Sequence, residues 1–315
     1  MHIGFLNMMP DAALRATERQ FIRLVGSCNR IAQFFVHPFS LPSIERGPKA
    51  QAYVDEYYSD FDSIRAQGLD ALIITGANVA NPDLRQEPFW NPLMSVVEWA
   101  EKQVSSTLCS CLATHAVLNY FHGIERIPLP NKRWGIYPHR VIAGTHPLLK
   151  GINTRFDVPH SRHNDIARSQ LESQSLQVLI ESETGGVHAA ASPDGFRMIY
   201  FQGHPEYDTL SLFKEYKREL VRHRSGVREL PPLPEHYFDT AVMSILDEYR
   251  QALMDDDDRA PRLEDQIVSQ LDNTWGDTAK AIFNNWLGLV YRTTNLDRTQ
   301  QYMTDIDRNN PLALV

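Results

Sequence analysis

The chain has 315 residues, 43% hydrophobic and 22% charged, an ordinary composition for a globular protein of one large or two modest domains. Its formal net charge of -8 argues against a nucleic-acid partner, and three cysteines are too few for a disulfide framework, so we expect a reducing compartment, the cytoplasm. The opening MHIGFLNMMP lacks a signal-peptide pattern, and no apolar run approaches the roughly 20 residues of a membrane span, so we expect no membrane association.

Strand and helix patterns alternate over the first part of the chain. A continuous apolar run, LDALIITGA, ends in Thr75-Gly76 and is typical of a central parallel strand that is followed by a loop. Predicted strands are 3–7, 31–36, 69–74 and 105–110, and predicted helices are 12–25, 53–64, 90–103 and 113–121. This alternation predicts an α/β fold with a mostly parallel sheet covered by helices.

The pattern becomes irregular after Gly123 and then returns to shorter elements. Predicted strands are 141–142, 176–181, 186–191 and 197–202, and predicted helices are 209–221 and 277–291. A proline-rich connector, PPLPEH, suggests a division after residue 230. We therefore predict a catalytic α/β domain over 1–230 and a C-terminal extension, 231–315, that packs on the same domain.

Cys111 stands where a predicted strand turns into a predicted helix. This position presents the side chain at the carboxyl edge of the sheet, where open α/β folds bind ligands. The helix N-terminus favours the thiolate, and the backbone N–H of Leu112 can help to hold an oxyanion. Cys111 is therefore the predicted nucleophile.

The segment Gly203-His204-Pro205-Glu206 follows a predicted strand and supplies the partners that a cysteine nucleophile needs. His204 is the predicted base, and Glu206 the carboxylate that orients its imidazole. A single cysteine or a single histidine among 12 is more often structural, but the combination is much more specific.

The other two cysteines are weaker candidates. Cys109 alternates on the strand with Cys111 and points to the same face, but it lacks the helix N-terminus. The C-x-C spacing has no second pair, so we expect no metal site. Cys28 is predicted to be structural.

At this point the sequence resembles the homoserine O-acyltransferases of methionine biosynthesis, the transsuccinylase branch on a class I glutamine-amidotransferase-like, flavodoxin-like fold. The resemblance runs nearly end to end. Its most specific markers are PHSRH and GHPEYD together, since GHPE alone also fits a glutamine amidotransferase. Further markers are LNMMP, LIITGA, STLCSC, YFHGI and FNNWL.

The resemblance implies roles for individual residues. Cys111 matches the acyl-thioester nucleophile, His204 the proton acceptor and Glu206 the third member of the triad. Substrate-binding positions of the family fall at Lys132, in PNKRWG, at Ser161, in PHSRH, and at Arg218, which would hold the carboxylate of an amino acid with its two-pronged guanidinium.

The resemblance also implies an acyl donor. The family's acyl choice follows a position in the loop after the TGA strand, where glutamate accompanies acetyl-CoA and a small residue accompanies succinyl-CoA. Ala80 falls at this position, so we expect succinyl-CoA rather than acetyl-CoA as the co-substrate and no bound cofactor. The sequence departs from the family at CLATH, where His115 is unusual and could reach the acceptor pocket or the nucleophile.

The predicted reaction is an acyl transfer in two halves, through a thioester on Cys111 to the hydroxyl of homoserine or a related amino acid. Backbone N–H groups of Leu112 and of the loop after Gly76 would hold the oxyanion. The alternatives are a glutamine amidohydrolase that uses the same triad and a non-catalytic binding protein. The partners expected are small molecules, and the oligomeric state, a homodimer included, stays open.

Overall fold

The computed structural model of the chain describes residues 1–29 and 31–314, which form a nine-stranded sheet covered by helices. The strands are β1 (His2–Leu6), β2 (Phe35–Phe39), β3 (Ala71–Ile74), β4 (Ser106–Ser110), β5 (Ile127–Val141), β6 (Arg155–Asp165), β7 (Gln177–Ser182), β8 (Gly186–Ala191) and β9 (Met198–Phe201). The helices are α1 (Asp11–Cys28), α2 (Pro48–Tyr57), α3 (Phe61–Gln67), α4 (Trp90–Gln103), α5 (Leu112–His122), α6 (Arg168–Ser173), α7 (Ser211–Arg224), α8 (Thr240–Met254), α9 (Ala260–Val268) and α10 (Gly276–Thr293). No helix in the described ranges combines the length and apolar character needed to cross a bilayer.

The sheet has a parallel half and an antiparallel half. Its strand order is β2-β1-β3-β4-β9-β8-β7-β5-β6. The neighbours from β2 to β9 pair in parallel, and those from β9 to β6 pair antiparallel. The α/β prediction is confirmed, while the mostly parallel sheet that we expected describes the half in which β4 and β9 lie side by side.

Helices cover both faces of the sheet, as predicted. In α4 the positions Leu93, Val97 and Ala100 are buried at helical spacing against one face, together with Ala116 of α5. On the other face α1 and α10 pack together, and Trp286 of α10 is fully buried against the strands. The central strand β3 is thus covered on both sides, which explains its continuous apolar sequence.

Two predicted elements near the N-terminus differ from the structure. The strand expected at 31–36 is β2, which begins at Phe35, and Ile31 is exposed. Pro38 lies inside β2, where a proline is tolerated because β2 is an edge strand. The single helix expected at 53–64 is two helices, because the side chain of Asp60 accepts a hydrogen bond from the Ser63 N–H and begins α3 there.

The stretch after Gly123 that we read as irregular is the antiparallel pair β5 and β6. The prolines and charged residues of these strands interrupt the apolar pattern by which a strand is predicted. A register shift between Pro128 and Arg133 also interrupts their pairing. In the C-terminal part the helices α8 and α9 were also missed. They pack with α7 and Trp134, whereas α10 lies on the sheet. The division after residue 230 stays a prediction.

Candidate active site

The nucleophile candidate lies in a sharp turn between β4 and α5. Cys111 has φ 54° and ψ -111°, a backbone conformation that a residue with a side chain rarely adopts. Its N–H donates to the carbonyl of Phe201, at 2.7 Å, and this bond ties the turn to the end of β9. The strained turn lifts the side chain out of the strand, as in the strand–nucleophile–helix elbow of hydrolases.

The backbone around the thiol is closely packed. An added Cβ on Gly76 would lie 3.7 Å from the Cβ of Cys111 and 3.8 Å from the nitrogen of Leu112. The loop after β3 therefore passes directly beside the nucleophile. Leu112 is the first residue of α5, so its N–H has no carbonyl partner within the helix. The oxyanion role of these two residues stays a prediction that this geometry fits.

The histidine and glutamate lie at the end of β9, next to the nucleophile strand. His204 is buried, and its Nδ1–H donates to the Oε1 of Glu206 at 2.8 Å, as the triad prediction requires. Its Nε2 is buried, and because Nδ1 is bound to Glu206, this is the nitrogen that is left to interact with the side chain of Cys111. Burial by itself lowers the pKa of His204, but its interactions with Glu206 and Cys111 outweigh burial and raise it well above its usual value.

A second acidic residue, which sequence reasoning missed, binds several side chains next to the triad. Glu215 of α7 accepts a hydrogen bond from Tyr207 at 2.6 Å, and the ring of Tyr207 stacks on His204 with 4.3 Å between centroids. One feature of the sequence could have indicated Glu215. It follows the buried Leu212 by three residues, so helical periodicity places it at the margin of the buried face of α7. This carboxylate connects α7 to the triad.

Lys132 of β5 and Ser161 of β6 meet at the same carboxylate. The Nζ of Lys132 lies 3.1 Å from the Oε2 of Glu215, and the hydroxyl of Ser161 donates to that oxygen at 2.7 Å. The Lys132 ammonium also lies over the ring of Trp134, 4.1 Å from its centroid. Burial alone raises the pKa of Glu215, but Lys132 and the three hydrogen bonds outweigh it and lower the pKa below its usual value.

Arg218 lies outside this cluster. Its side chain is 48% exposed, and its contact with Glu219 is long, with 3.7 Å between Nε and Oε1. The structure thus brings together two of the three predicted substrate-binding residues. It leaves the guanidinium of Arg218 at the surface of α7.

The predicted acyl-specificity position is in an exposed part of the loop after β3. The N–H groups of Ala80 and Asn81 both donate to the Oε1 of the buried Glu87, at 2.7 and 2.6 Å. One carboxylate therefore fixes the path of this loop. The role of Ala80 stays a prediction.

Buried histidines support the turn that carries His204. The Nε–H of Arg162 donates to the Nδ1 of His160 at 3.1 Å, so the other nitrogen of His160 donates to His139 at 3.2 Å. Burial lowers the pKa of both rings, for His139 to about 4, and keeps them neutral. A side chain on Gly203 would lie 2.9 Å from the His160 ring, so only glycine permits this packing.

The described hydrogen bond of the His115 ring is with Gln202 and not with the nucleophile. The Nε2 of His115 lies 3.0 Å from the Oε1 of Gln202, and the ring is buried. Burial lowers the pKa of His115 to about 4, so the ring is neutral near pH 7. The interpretation that His115 contacts the acceptor or the nucleophile is therefore not supported, and the residue packs α5 against β9.

The other cysteines lie in less reactive surroundings. Cys109 is fully buried in the core, and burial raises the pKa of its thiol far above the usual range. The alternation that would place it beside Cys111 ends with β4 at Ser110. Burial raises the pKa of Cys28 to about 12. Both thiols are therefore protonated near neutral pH.

Comparison with known proteins agrees with this geometry. Residues 1–296 match the family model described as homoserine O-succinyltransferase. Proteins named homoserine O-succinyltransferase from Allochromatium vinosum and Nitrosococcus oceani are 58% and 57% identical to the chain, and each alignment covers 100% of this chain and 89% of the relative.

Solved structures show the same fold at low identity. A glutamine amidotransferase from Methylobacillus flagellatus has a TM-score of 0.52 and 14% identity, covering 97% of this chain and 98% of that one. A glutamine amidotransferase from Thermotoga maritima has a TM-score of 0.51 and 10% identity, covering 92% of this chain and 97% of that one. The amidotransferase-like fold expected from the sequence is confirmed, and the chain belongs to the homoserine O-succinyltransferase family of acyltransferases.

Proposed function

We propose that the chain transfers a succinyl group from succinyl-CoA to the hydroxyl of L-homoserine through a thioester on Cys111. The observation that carries this proposal is the arrangement at the ends of β4 and β9. A cysteine in a strained elbow lies on the strand next to a buried histidine with which it interacts, and the Nδ1 of that histidine is held by Glu206. Membership in the family supports the succinyl group and the homoserine acceptor.

In the first half-reaction the Cys111 thiol gives its proton to the Nε2 of His204. The thiolate attacks the thioester carbonyl, and the N–H groups of Leu112 and the loop after Gly76 stabilise the oxyanion. The carbon–sulfur bond to CoA then breaks, and the CoA sulfur takes the proton from His204. Glu206 stabilises the intermediate imidazolium, in agreement with the raised pKa of His204.

In the second half-reaction the acceptor hydroxyl loses its proton to the same Nε2 and attacks the acyl-enzyme. The Cys111 sulfur leaves and recovers the proton. Lys132 and Ser161 contact the acceptor, and the surface guanidinium of Arg218 binds its carboxylate. Arg218 suits this step because its contact with Glu219 is long and leaves N–H donors available.

Intact-mass measurement after brief exposure to succinyl-CoA tests the proposal. We expect a single succinyl adduct that is absent in Cys111→Ala and disappears when L-homoserine is added. An adduct that persists with homoserine would contradict the proposed transfer. Release of ammonia from glutamine, without acylation by CoA thioesters, would instead indicate a glutamine amidohydrolase.

A further inference from the structure

A succinyl donor raises an electrostatic question at this site. The group ends in a carboxylate, and a carboxylate that enters a protein pocket needs a cation or several N–H donors. An acetyl group makes no such demand. The cation that meets this carboxylate must lie near Cys111 and have N–H groups that other residues do not use.

Arg162 and Lys132 do not meet the second requirement. The side chain of Arg162 is almost fully buried, and its N–H groups bind His160, Asp165 and the carbonyls of Asn164 and Gly185. Lys132 is paired with Glu215 in the predicted acceptor pocket.

Arg126, just before β5, meets the second requirement, because it has N–H groups that other residues do not use. Its Nη2 donates to the carbonyls of Asn81 and Pro82, at 3.0 and 2.7 Å. Within residues 1–29 and 31–314, its Nε and Nη1 have no hydrogen-bond partner, and neither atom is buried. The guanidinium therefore holds the loop that contains Ala80 and still has N–H groups to offer a ligand.

The acids near Arg126 are engaged elsewhere. Asp83 is bound by Arg85, at 2.8 Å, and the same arginine is the ion-pair partner of Glu125. Glu87 accepts hydrogen bonds from the backbone of the Ala80 loop. No described carboxylate forms a direct ion pair with Arg126, and the charges of Glu87 and Asp83 act on it only without contact.

The loop connects this guanidinium to the nucleophile. It begins at Gly76, which lies against Cys111, passes Ala80, and ends at the carbonyls that Arg126 binds. From the other side, His115 follows Cys111 by four residues on α5, about 6 Å along the helix axis. After burial, the charges of Arg162 and Arg126 also contribute to the lowered pKa of His115.

We propose that Arg126 recognises the terminal carboxylate of the succinyl donor through its unpaired N–H groups, while its Nη2 keeps the Ala80 loop in place. This inference rests on the proposed succinyl transfer. It makes Arg126 a specificity-determining residue for the acyl group. It also explains why the side chain of Ala80 is small, since in this arrangement a larger side chain would lie between the nucleophile and the guanidinium.

The test compares a charged donor with a neutral donor of similar length. We expect Arg126→Gln to lower kcat/KM for succinyl-CoA by about 10- to 100-fold, the range for loss of a charged hydrogen bond, and to lower kcat/KM for butyryl-CoA much less. Arg126→Lys keeps the charge and should recover part of the succinyl preference. Arg65→Gln, which removes an exposed arginine of α3 that pairs only with the exposed Asp62, is the control and should change neither donor.

Each other outcome overturns the inference. An equal loss for both donors would show that Arg126 only holds the loop, and unchanged kinetics would remove it from the site. If Arg126→Gln does not fold, the ratio of the two donors in Arg126→Lys decides, and an unchanged ratio with lower rates counts against the proposal. If the unmodified protein forms no acyl adduct with any CoA thioester, the proposed function itself fails.

Discussion

Replacing Glu215 with glutamine tests the network that connects the triad to the predicted acceptor pocket. The carboxylate of Glu215 accepts hydrogen bonds from Tyr207 at 2.6 Å, from Ser161 at 2.7 Å and from Lys132 at 3.1 Å. These donors come from the turn after β9 and from strands β6 and β5. Glu215→Gln keeps the shape of the side chain but removes its charge.

The expected loss of stability in Glu215→Gln depends on how deeply the Lys132–Glu215 pair is buried. A hydrogen bond to a charged group contributes roughly 1.5–3 kcal/mol, and breaking a fully buried pair costs roughly 3–5 kcal/mol. The side chains of Lys132 and Glu215 are 23% and 13% exposed, so water can solvate the Lys132 ammonium in part and reduce this cost. The side-chain oxygen of glutamine also still accepts a hydrogen bond. We expect the free energy of unfolding to fall by about 2–3 kcal/mol, or about 4–6 °C in Tm.

The pH dependence gives a sharper readout. The pKa of Glu215 is lower in the folded state than its usual 4.5, so the unfolded state binds more protons as the pH falls. The contribution of the carboxylate is therefore complete above pH 4.5 and is lost as the pH falls through the folded pKa. Urea unfolding of both proteins at neutral and acidic pH should show their difference shrinking at the acidic end.

A control and a kinetic measurement complete the test. Glu172→Gln removes an exposed partner of Arg168 in a surface pair and should cost less than about 1 kcal/mol. Glu215→Gln should also raise KM for the amino-acid acceptor, because Lys132 and Ser161 lose their common partner. Equal stability of wild type and variant at neutral pH, or a difference that grows in acid, would refute the reasoning.

Four further predictions concern the predicted roles of single residues. Cys111→Ala should abolish transfer while Cys109→Ala retains much of it, because only the first thiol lies in the elbow; loss of activity in both would make the assignment wrong. Glu206→Gln should lower kcat by less than loss of its imidazole partner, since the carboxylate orients the ring and takes no proton; unchanged kcat would remove it from the triad. Arg218→Lys should raise the acceptor KM and leave formation of the acyl-enzyme intact, which burst kinetics can check; failure to acylate would place this arginine in the first half-reaction. Ala80→Glu should shift kcat/KM from succinyl-CoA toward acetyl-CoA, because a second carboxylate repels the succinyl group; a preference of the unmodified protein for acetyl-CoA would contradict this.

The residues predicted for acylation and for acceptor binding are divided between the two halves of the sheet. Cys111 and His204 follow adjacent parallel strands, so any chain that forms these two strands brings both side chains to one edge. Lys132 and Ser161 belong to the antiparallel half, and α7 reaches both halves through Glu215. If the proposed roles hold, acyl-enzyme formation and acceptor binding depend on different elements, and we expect substitutions in the two groups to separate in half-reaction assays.

The sequence by itself determined the features that depend on local pattern. The apolar run before Gly76, the strand-to-helix position of Cys111 and the HPE turn after β9 are short-range signals, because the buried period of a strand and the turn residues at its end are local properties. The resemblance to a family added Lys132 and Ser161, which lie among prolines and charged residues where no periodicity marks a strand.

Only the tertiary structure decided how these residues meet. Glu215 lies 83 residues from Lys132 and 54 from Ser161, and their contact depends on where α7 packs on the β5–β6 pair. The free N–H groups of Arg126 likewise follow from the path of the Ala80 loop. The local sequence around a charged side chain is the same whether that side chain is solvated, ion-paired or free to bind a ligand. Long-range packing decides which of these environments it has.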